Sequence, residues 1–463
     1  MSPETATNQG DETTVEDVTG LTAELIESIT DALDQENFDK VHDLISPIHS
    51  ADVADIISLI SPSQRSLFVD ATRGILDPEV LADLEEDVLE AVIEQLGPVE
   101  AAAAVAELDT DDAVELFEEL DEDDREELLQ AVPEAERGQI EQALGYPEDS
   151  AGRLMQRDLI SVPAFWTIGQ TIDHLRESDD LPDEFYEIFI VDPAHKPIGS
   201  IPLNLAMRSK RPVVVSDIAR DEPILIPVDM DQEDVAFLFQ QYDMTSGPVI
   251  DEAGRLMGVI MVDDIVDVIH EEAEEDIMHL AGLSEGNIYS TVLDTTKARF
   301  SWLLVNLVTA IAASVVIAQF DAAIEKIVAL AILMPIVASM GGNAGTQAMT
   351  VAVRALAMRE LTETNANRFV SKELLVGVVN GIIFAVLAGV LAGLWFTDAR
   401  LGGVIAAAMV INMIVAGLGG VLVPIGFGKF GIDPAIAASV FVTTITDVVG
   451  FLAFLGLAAA FLL

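Results

Sequence analysis

Residues 434–462 read PAIAASVFVTTITDVVGFLAFLGLAAAFL, a run whose single charged side chain is Asp447. A helix needs about 20 apolar residues to cross a bilayer, so this stretch predicts a membrane span with one carboxylate inside it. Working back along the chain, apolar runs at about 300–319, 327–357, 373–396 and 401–426 predict four more spans. The run at 327–357 is too long for one straight crossing.

Charge divides at the same place. The 463 residues include 79 acids and 23 bases, a formal charge of −56. Residues 297–463 hold 8 acids against 9 bases, which leaves 71 acids and 14 bases in residues 1–296. One part of the chain is suited to lipid and the other to water. So large an acidic excess repels nucleic acid and anionic lipid surfaces, which excludes both as partners of the soluble part. Most of the acid reads as the global bias of a salt-adapted host; sensing a cation needs only a few of these carboxylates. With no cysteine, disulfides, thiolate zinc sites and redox pairs drop out, and hard-cation chemistry is left.

Met1–Gly20 is polar and acidic, without the apolar core of a signal peptide, and predicts a disordered lead that stays in the cytosol. With the N-terminus inside, Lys297, Arg299, Arg354, Arg359, Arg368, Lys372 and Lys429 fall on the cytosolic side, and Lys326 and Arg400 outside. That asymmetry follows the positive-inside rule for a multi-pass plasma-membrane protein with an external C-terminus.

From 21 to 145 short amphipathic segments recur, each opened by a capping or turn signal such as Ser61-Pro62, Asp77-Pro78, Gly97-Pro98, Asp109-Thr110-Asp111 or Pro133. They predict a helical, superhelical N-domain. Between 146 and 269 strands alternate with helices, and the pattern returns. Phe189-Ile190-Val191-Asp192 with Pro197-Ile198-Gly199 reappears as Pro248-Val249-Ile250-Asp251 with Leu256-Met257-Gly258, a repeat of 59 residues. The repeat resembles a tandem pair of CBS domains, which are regulatory modules. Residues 263–281 then predict one amphipathic helix, with Asp264, Asp267, Glu271 and Glu275 on one face and Ile265, Ile269, Ala273, Ile277 and Leu280 on the other.

Two features carry chemistry. A charge at the centre of a span costs roughly 2.5–3.5 kcal/mol on insertion scales, so Asp447 should face water or a cation. In the second span Pro335 precedes Gly341-Gly342-Asn343-Ala344-Gly345-Thr346-Gln347, which predicts unwound backbone whose carbonyls, with the Asn343 amide, would be oxygen ligands. Close packing of small residues is the competing reading of those glycines. No nucleophile motif or phosphate-binding lysine loop is present, and the six histidines have no paired metal-ligand spacing, so the chain does not read as an enzyme.

The run from Pro335 through Gly341–Gln347, Arg354-Ala355-Leu356-Ala357 and Thr446-Asp447-Val448-Val449-Gly450 resembles the MgtE family of Mg²⁺ channels. So do Tyr146-Pro147-Glu148-Asp149-Ser150-Ala151-Gly152-Arg153-Leu154-Met155 and Val262-Asp263-Asp264-Ile265-Val266-Asp267. The resemblance implies a multi-domain homodimer: an α-helical superhelical N-domain (21–145), an α/β tandem CBS pair (146–269), a connecting plug helix (263–297) and an all-α five-helix transmembrane pore domain (298–463). It implies that Asp447 holds hydrated Mg²⁺ in the pore, assisted by Gly341, Gly342 and Asn343. It also implies cytosolic Mg²⁺ sensing by Glu79, Asp111, Asp231, Glu233, Asp243, Asp264, Asp267, Glu272, Glu275 and Asp276, whose occupation closes the channel. Ser439 stands where some relatives carry Asn, so no pore ligand is expected there. CBS pairs often bind adenine nucleotides, a point the sequence leaves open. Two other readings remain at this stage, a coupled exchanger of Mg²⁺ against another ion and a membrane-anchored Mg²⁺ sensor that passes nothing.

Overall fold

The structure, a computed structural model, describes residues 21–463 apart from 85, 179–180, 183–184, 222, 284–291, 363 and 431. The expected lead over 1–20 and the 284–291 part of the expected linker lie outside the described residues. The chain divides into two compact units, Met1–Ile269 and His270–Leu463.

The first unit opens with helices α1 (Ala23–Asp34), α2 (Phe38–Ile45), α3 (Ser50–Leu59), α4 (Pro62–Thr72) and α5 (Glu79–Ala82). It continues with α6 (Glu86–Leu96), α7 (Pro98–Val105), α8 (Thr110–Glu118), α9 (Glu122–Ala131) and α10 (Glu134–Ala143). Their starts are fixed locally. Thr22 and Asn37 accept backbone N–H bonds at the starts of α1 and α2, and Pro62 and Pro98 occupy first-turn positions where no N–H is needed. Gly97 turns into α7 at φ 78°, a left-handed conformation that favours glycine. The helices stack on near neighbours and share one core that includes Ile29, Leu33, Phe68, Leu89 and Phe117, all sealed from solvent. Each such side chain contributes about 1.5–3 kcal/mol by leaving water.

The predicted repeat is visible in the next two sheets. The first contains β1 (Ser161–Pro163), β2 (Glu187–Val191), β3 (Pro197–Pro202) and β4 (Arg220–Asp221), in that order, with α11 (Ile168–Glu177) and α12 (Leu203–Arg208) between strands. The second contains β5 (Ile226–Pro227), β6 (Ser246–Ile250) and β7 (Leu256–Met261), with α13 (Gln232–Tyr242) between β5 and β6. In both, a parallel pair is followed by an antiparallel one. Both carry a register shift at equivalent places, Ile190/Val191 and Val249/Ile250. Asp192 N–H donates to the Lys196 carbonyl and Asp251 N–H to the Arg255 carbonyl, so the repeated Asp closes the same turn twice.

Helix α14 (Val262–Ala281) follows β7 directly. Its predicted apolar face needs correction. Ile265 and Val268 pack into the core of the second CBS module, while Ile269 and Ile277 are 45% and 66% exposed and Ala273 is also exposed. The buried stripe follows packing partners that lie far away in sequence.

The second unit contains α15 (Val292–Ala318), α16 (Asp321–Lys326), α17 (Ala329–Ala357), α18 (Ala366–Trp395), α19 (Ala399–Lys429) and α20 (Pro434–Phe461). Five of these, all but α16, are long and apolar enough to cross a membrane. Helix α19 is central: it packs on α17, α18 and α20 and buries the most surface of the five. Backbones approach where side chains are minimal; a Cβ on Gly402 would lie 2.5 Å from the Gly389 carbonyl oxygen, and one on Gly420 2.6 Å from that of Gly345. Along α15, by contrast, Leu303, Leu304, Leu307, Val308 and Ile311 remain exposed, an apolar surface suited to lipid.

Candidate functional site: two carboxylate groups and a lone intramembrane acid

In the first unit, three helix starts bring acids together. Helix α5 carries Glu79 and ends at Asp83; the first turns of α8 and α14 carry Asp111 and Asp112, and Asp263 and Asp264. Acids at these positions are favoured by the free N–H groups and the helix dipole, which explains their local placement. Their mutual approach is a tertiary result and has an electrostatic cost. Asp111 is half-buried, but its Oδ1 is sealed from solvent and has no hydrogen-bond partner. Burial, followed by the charges of Asp264, Asp112 and Asp109, holds its proton affinity well above the usual carboxylate range. Burial pushes Asp112 up to about 6, with Asp109, Glu79, Asp83 and Asp263 adding to the push.

Asp264 is raised by burial to about 7, although its Oδ2 accepts the Met261 N–H at 3.0 Å, and Asp263, Asp112 and Asp267 raise it further. Asp83 is raised by burial and by Glu79, Asp267 and Asp55, against the opposing pull of His49. Ser50 Oγ donates to Glu79 Oε2 at 3.0 Å. Of the residues expected from sequence, Glu79, Asp111, Asp264 and Asp267 thus belong to one group. Asp83, Asp112 and Asp263 belong to it as well and are not among the expected residues; their signal is adjacency to Asp111 and Asp264 in an acidic first turn.

Three other expected sensor residues do local work on α13. Asp231 is its N-cap, accepting the Glu233 N–H at 3.0 Å, and Glu233 sits in its first turn. Asp243 ends the helix in the left-handed region at φ 51°. Asp149 lies near Asp231 and is raised by burial and by that charge.

The second unit holds a separate group. Asp433 caps α20, its Oδ1 accepting the Ala435 N–H at 2.8 Å, and its Oδ2 lies 3.0 Å from His279 Nδ1. The same imidazole nitrogen lies 3.4 Å from Glu275 Oε1. Asp276 is raised by burial, then by Asp433 and Glu275, with His279 opposing. Glu275 and Asp276 are expected from the sequence and Asp433 is not, although Asp433-Pro434 is a helix-start signal. Glu272 lies one turn earlier on the same helix.

Asp447 sits half-buried in α20, and among the described residues it has no hydrogen-bond or ion-pair partner. The neighbouring hydroxyls are engaged elsewhere: Thr443, Thr444 and Thr446 each donate to a backbone carbonyl of their own helix. The unwound backbone expected at Gly341–Gln347 is not found. Helix α17 runs unbroken from Ala329 to Ala357 through Pro335, so the ligand reading of free carbonyls there is corrected. Gly341 is buried against Asn412 of α19 and Gly345 against Val442 of α20, which is the small-residue packing role. Asn343 is exposed, its Nδ2 3.4 Å from Ser339 Oγ, and Gly342 has open space where a Cβ would be.

Among the described residues, no three acidic or imidazole side chains converge into a ready coordination shell. A Mg²⁺ ion that keeps its waters does not require one, because it sheds them reluctantly and is held through them. In the CBS pair a shallow cleft is lined by Gln156, Asp158, Tyr186, Glu187, Ser246 and Met261 among others. In that lining Asp158 and Glu187 oppose a phosphate group.

Residues 48–149 match the profile of the MgtE intracellular N domain, 215–271 that of the CBS domain, and 334–457 that of MgtE, described as a divalent cation transporter. The chain is similar to the magnesium transporter MgtE of Enterococcus faecalis, 32% identical over 319 residues that cover 69% of this chain and 70% of that protein. It is 28% identical over 420 residues to the magnesium transporter MgtE of Bacillus subtilis, covering 90% of this chain and 93% of that one. Among solved structures it is similar to the cytosolic domain of the Mg²⁺ channel MgtE in complex with ATP, at 26% identity and TM-score 0.49, covering 52% of this chain and 99% of that one.

Proposed function

The chain belongs to the MgtE family of magnesium transporters, and from that premise we propose that it is a homodimeric Mg²⁺-selective channel closed by cytosolic Mg²⁺. The observation that carries the gating half is the group Glu79, Asp83, Asp111, Asp112, Asp263, Asp264 and Asp267, crowded on three helices with four carboxyls held above their usual proton affinity by burial. Two unit charges about 6 Å apart repel by roughly 0.7 kcal/mol in water and roughly 2.8 at an effective dielectric of 20. Several such pairs open the assembly at low Mg²⁺. Hydrated Mg²⁺ bridging them favours the packed state, and only its differential binding moves the gate.

Helix α14 runs without a break from this group to Glu275 and Asp276, and so can carry the signal to Asp433 at the start of α20. The conducted ion is held through its water by Asp447, paired with its dimer mate, beside the Gly341–Asn343 segment of α17. The soluble unit and the N-terminus lie in the cytosol and the C-terminus outside, in the plasma membrane of a salt-adapted host. Screening to about 3 Å at molar salt would leave direct bridging as the main force.

The test is Mg²⁺ uptake into liposomes holding the purified protein at fixed internal Mg²⁺, with Asp264→Asn/Asp267→Asn beside the wild type. The wild type should shut as internal Mg²⁺ reaches millimolar levels and the variant should stay open. Equal closure of both would remove α14 from the sensor.

A further inference from the structure

Asn412 lies in the middle of α19, 0% exposed, inside a unit whose other fully buried side chains are nearly all apolar. Its Nδ2 donates to the Val337 carbonyl of α17 at 2.8 Å. Its Oδ1 is sealed from solvent and has no partner. Two glycines make room for it. A Cβ on Gly341 of α17 would collide with the carboxamide, and one on Gly450 of α20 would lie 2.8 Å from Nδ2. One amide is therefore wedged among the three helices that build the centre of the unit.

The wedge stands behind the residues assigned to the ion path. Gly450 is three residues beyond Asp447, so the two lie on neighbouring positions of one helix surface. Gly341 is two residues before Asn343, which places them on opposite sides of α17, one buried and one exposed. A leucine branches at the same γ carbon and brings no amide to desolvate, so packing alone does not call for asparagine. An acceptor left without a partner destabilises this arrangement and gains one if the helices part and admit water.

We propose that Asn412 is a positioning residue of the conduction path: its donor fixes α17 at Val337, and its unpaired Oδ1 favours the state in which α17 and α20 separate around the ion. The proposal rests on the transport reading above. It is tested with the full-length protein in liposomes, by Mg²⁺ uptake at micromolar internal Mg²⁺ together with thermal unfolding. Asn412→Leu should melt at the wild-type temperature or higher, yet pass Mg²⁺ about tenfold more slowly, as a small shift of a two-state gate would produce. Gly341→Ala should lower both flux and melting temperature because its methyl group collides with the amide, and adding Asn412→Ala should restore the melting temperature while flux stays about tenfold below wild type.

Wild-type flux in Asn412→Leu overturns the role, as does a flux loss matched by a lower melting temperature. Should Asn412→Leu fail to insert, the Gly341→Ala/Asn412→Ala variant decides: wild-type flux from the inserted double variant overturns the role. A wild type that passes no Mg²⁺ rejects the transport reading and this role with it, whereas an active wild type with an unaltered Asn412→Leu rejects this role alone.

Discussion

At the starts of α8 and α14, burial and then neighbouring carboxylates raise the hold of Asp111, Asp112 and Asp264 on a proton; in α20, Asp447 is the only acid in its span and meets no cation among the described residues. Both arrangements leave carboxylate charge uncompensated, but the cost is set by different solvents. In the soluble unit the penalty is shared among several groups and relieved in part by water. It grows as helices approach, so it depends on conformation and can drive a switch. In the membrane unit the penalty belongs to one residue and is relieved only by a wet path or an ion. The same functional group therefore reads as a sensor where it is crowded and as a conduction site where it stands alone.

Asp447→Ala should lower Mg²⁺ uptake by about 100-fold or more, because no second acid of the span replaces its contact with the hydration shell; uptake within a few-fold of wild type would place the path elsewhere. At the crowded group the loss should be of regulation and not of flux. Asp111→Asn/Asp264→Asn should raise the internal Mg²⁺ for half-closure about tenfold, since a gate responds to differential binding alone. Unchanged half-closure would separate these acids from the gate.

Acidification sharpens the contrast further. Asp112 and Asp264 have folded-state values of about 6 and about 7, above the ordinary 3.8. A raised value means that their contribution to the Mg²⁺-free packed state is complete below about pH 4 and is lost as pH rises through 6 and 7. Protons and Mg²⁺ then compete for the same oxygens. Lowering internal pH from 8 to 6 should raise the Mg²⁺ needed to occupy the group by roughly tenfold, measured as calorimetric Mg²⁺ affinity of the whole protein with the accompanying proton release. A pH-independent affinity with no proton release would contradict the assignment.

The smallest effect concerns what holds the soluble unit together. Arg153 pairs with Glu118 and donates to the Tyr146 and Leu144 carbonyls, joining the helical stack to the CBS pair. Arg153→Ala should cost roughly 1–3 kcal/mol, read as a lower melting temperature, with half-closure shifted less than in the Asp111/Asp264 variant.

Hydropathy is a local property, so the five spans and Asp447 are legible in the amino-acid sequence alone. The 59-residue period exposes the CBS repeat down to its shared Asp turn. Packing is not local, and there the sequence misleads. Pro335 and three glycines suggest unwinding of α17, but the helix holds its course because Gly341 and Gly345 seat Asn412 and Val442 from other helices. The apolar face of α14 is misplaced at Ile269 and Ile277 because the buried positions, Val268 and His279, are chosen by the CBS core and by Asp433 respectively. Asp83, Asp112 and Asp263 are hidden by the acid that surrounds them, since composition gives every carboxylate the same weight, whereas Asp433 stands in an apolar stretch and reads only as a helix start.

The central claim is that one molecule both conducts Mg²⁺ and closes on it. The most direct measurement is current across a patched bilayer holding the purified protein, with cytosolic Mg²⁺ stepped from micromolar to tens of millimolar. Mg²⁺ current should flow at the low end and fall as cytosolic Mg²⁺ rises. A current that ignores cytosolic Mg²⁺, or no current at any level from folded and inserted protein, would contradict it.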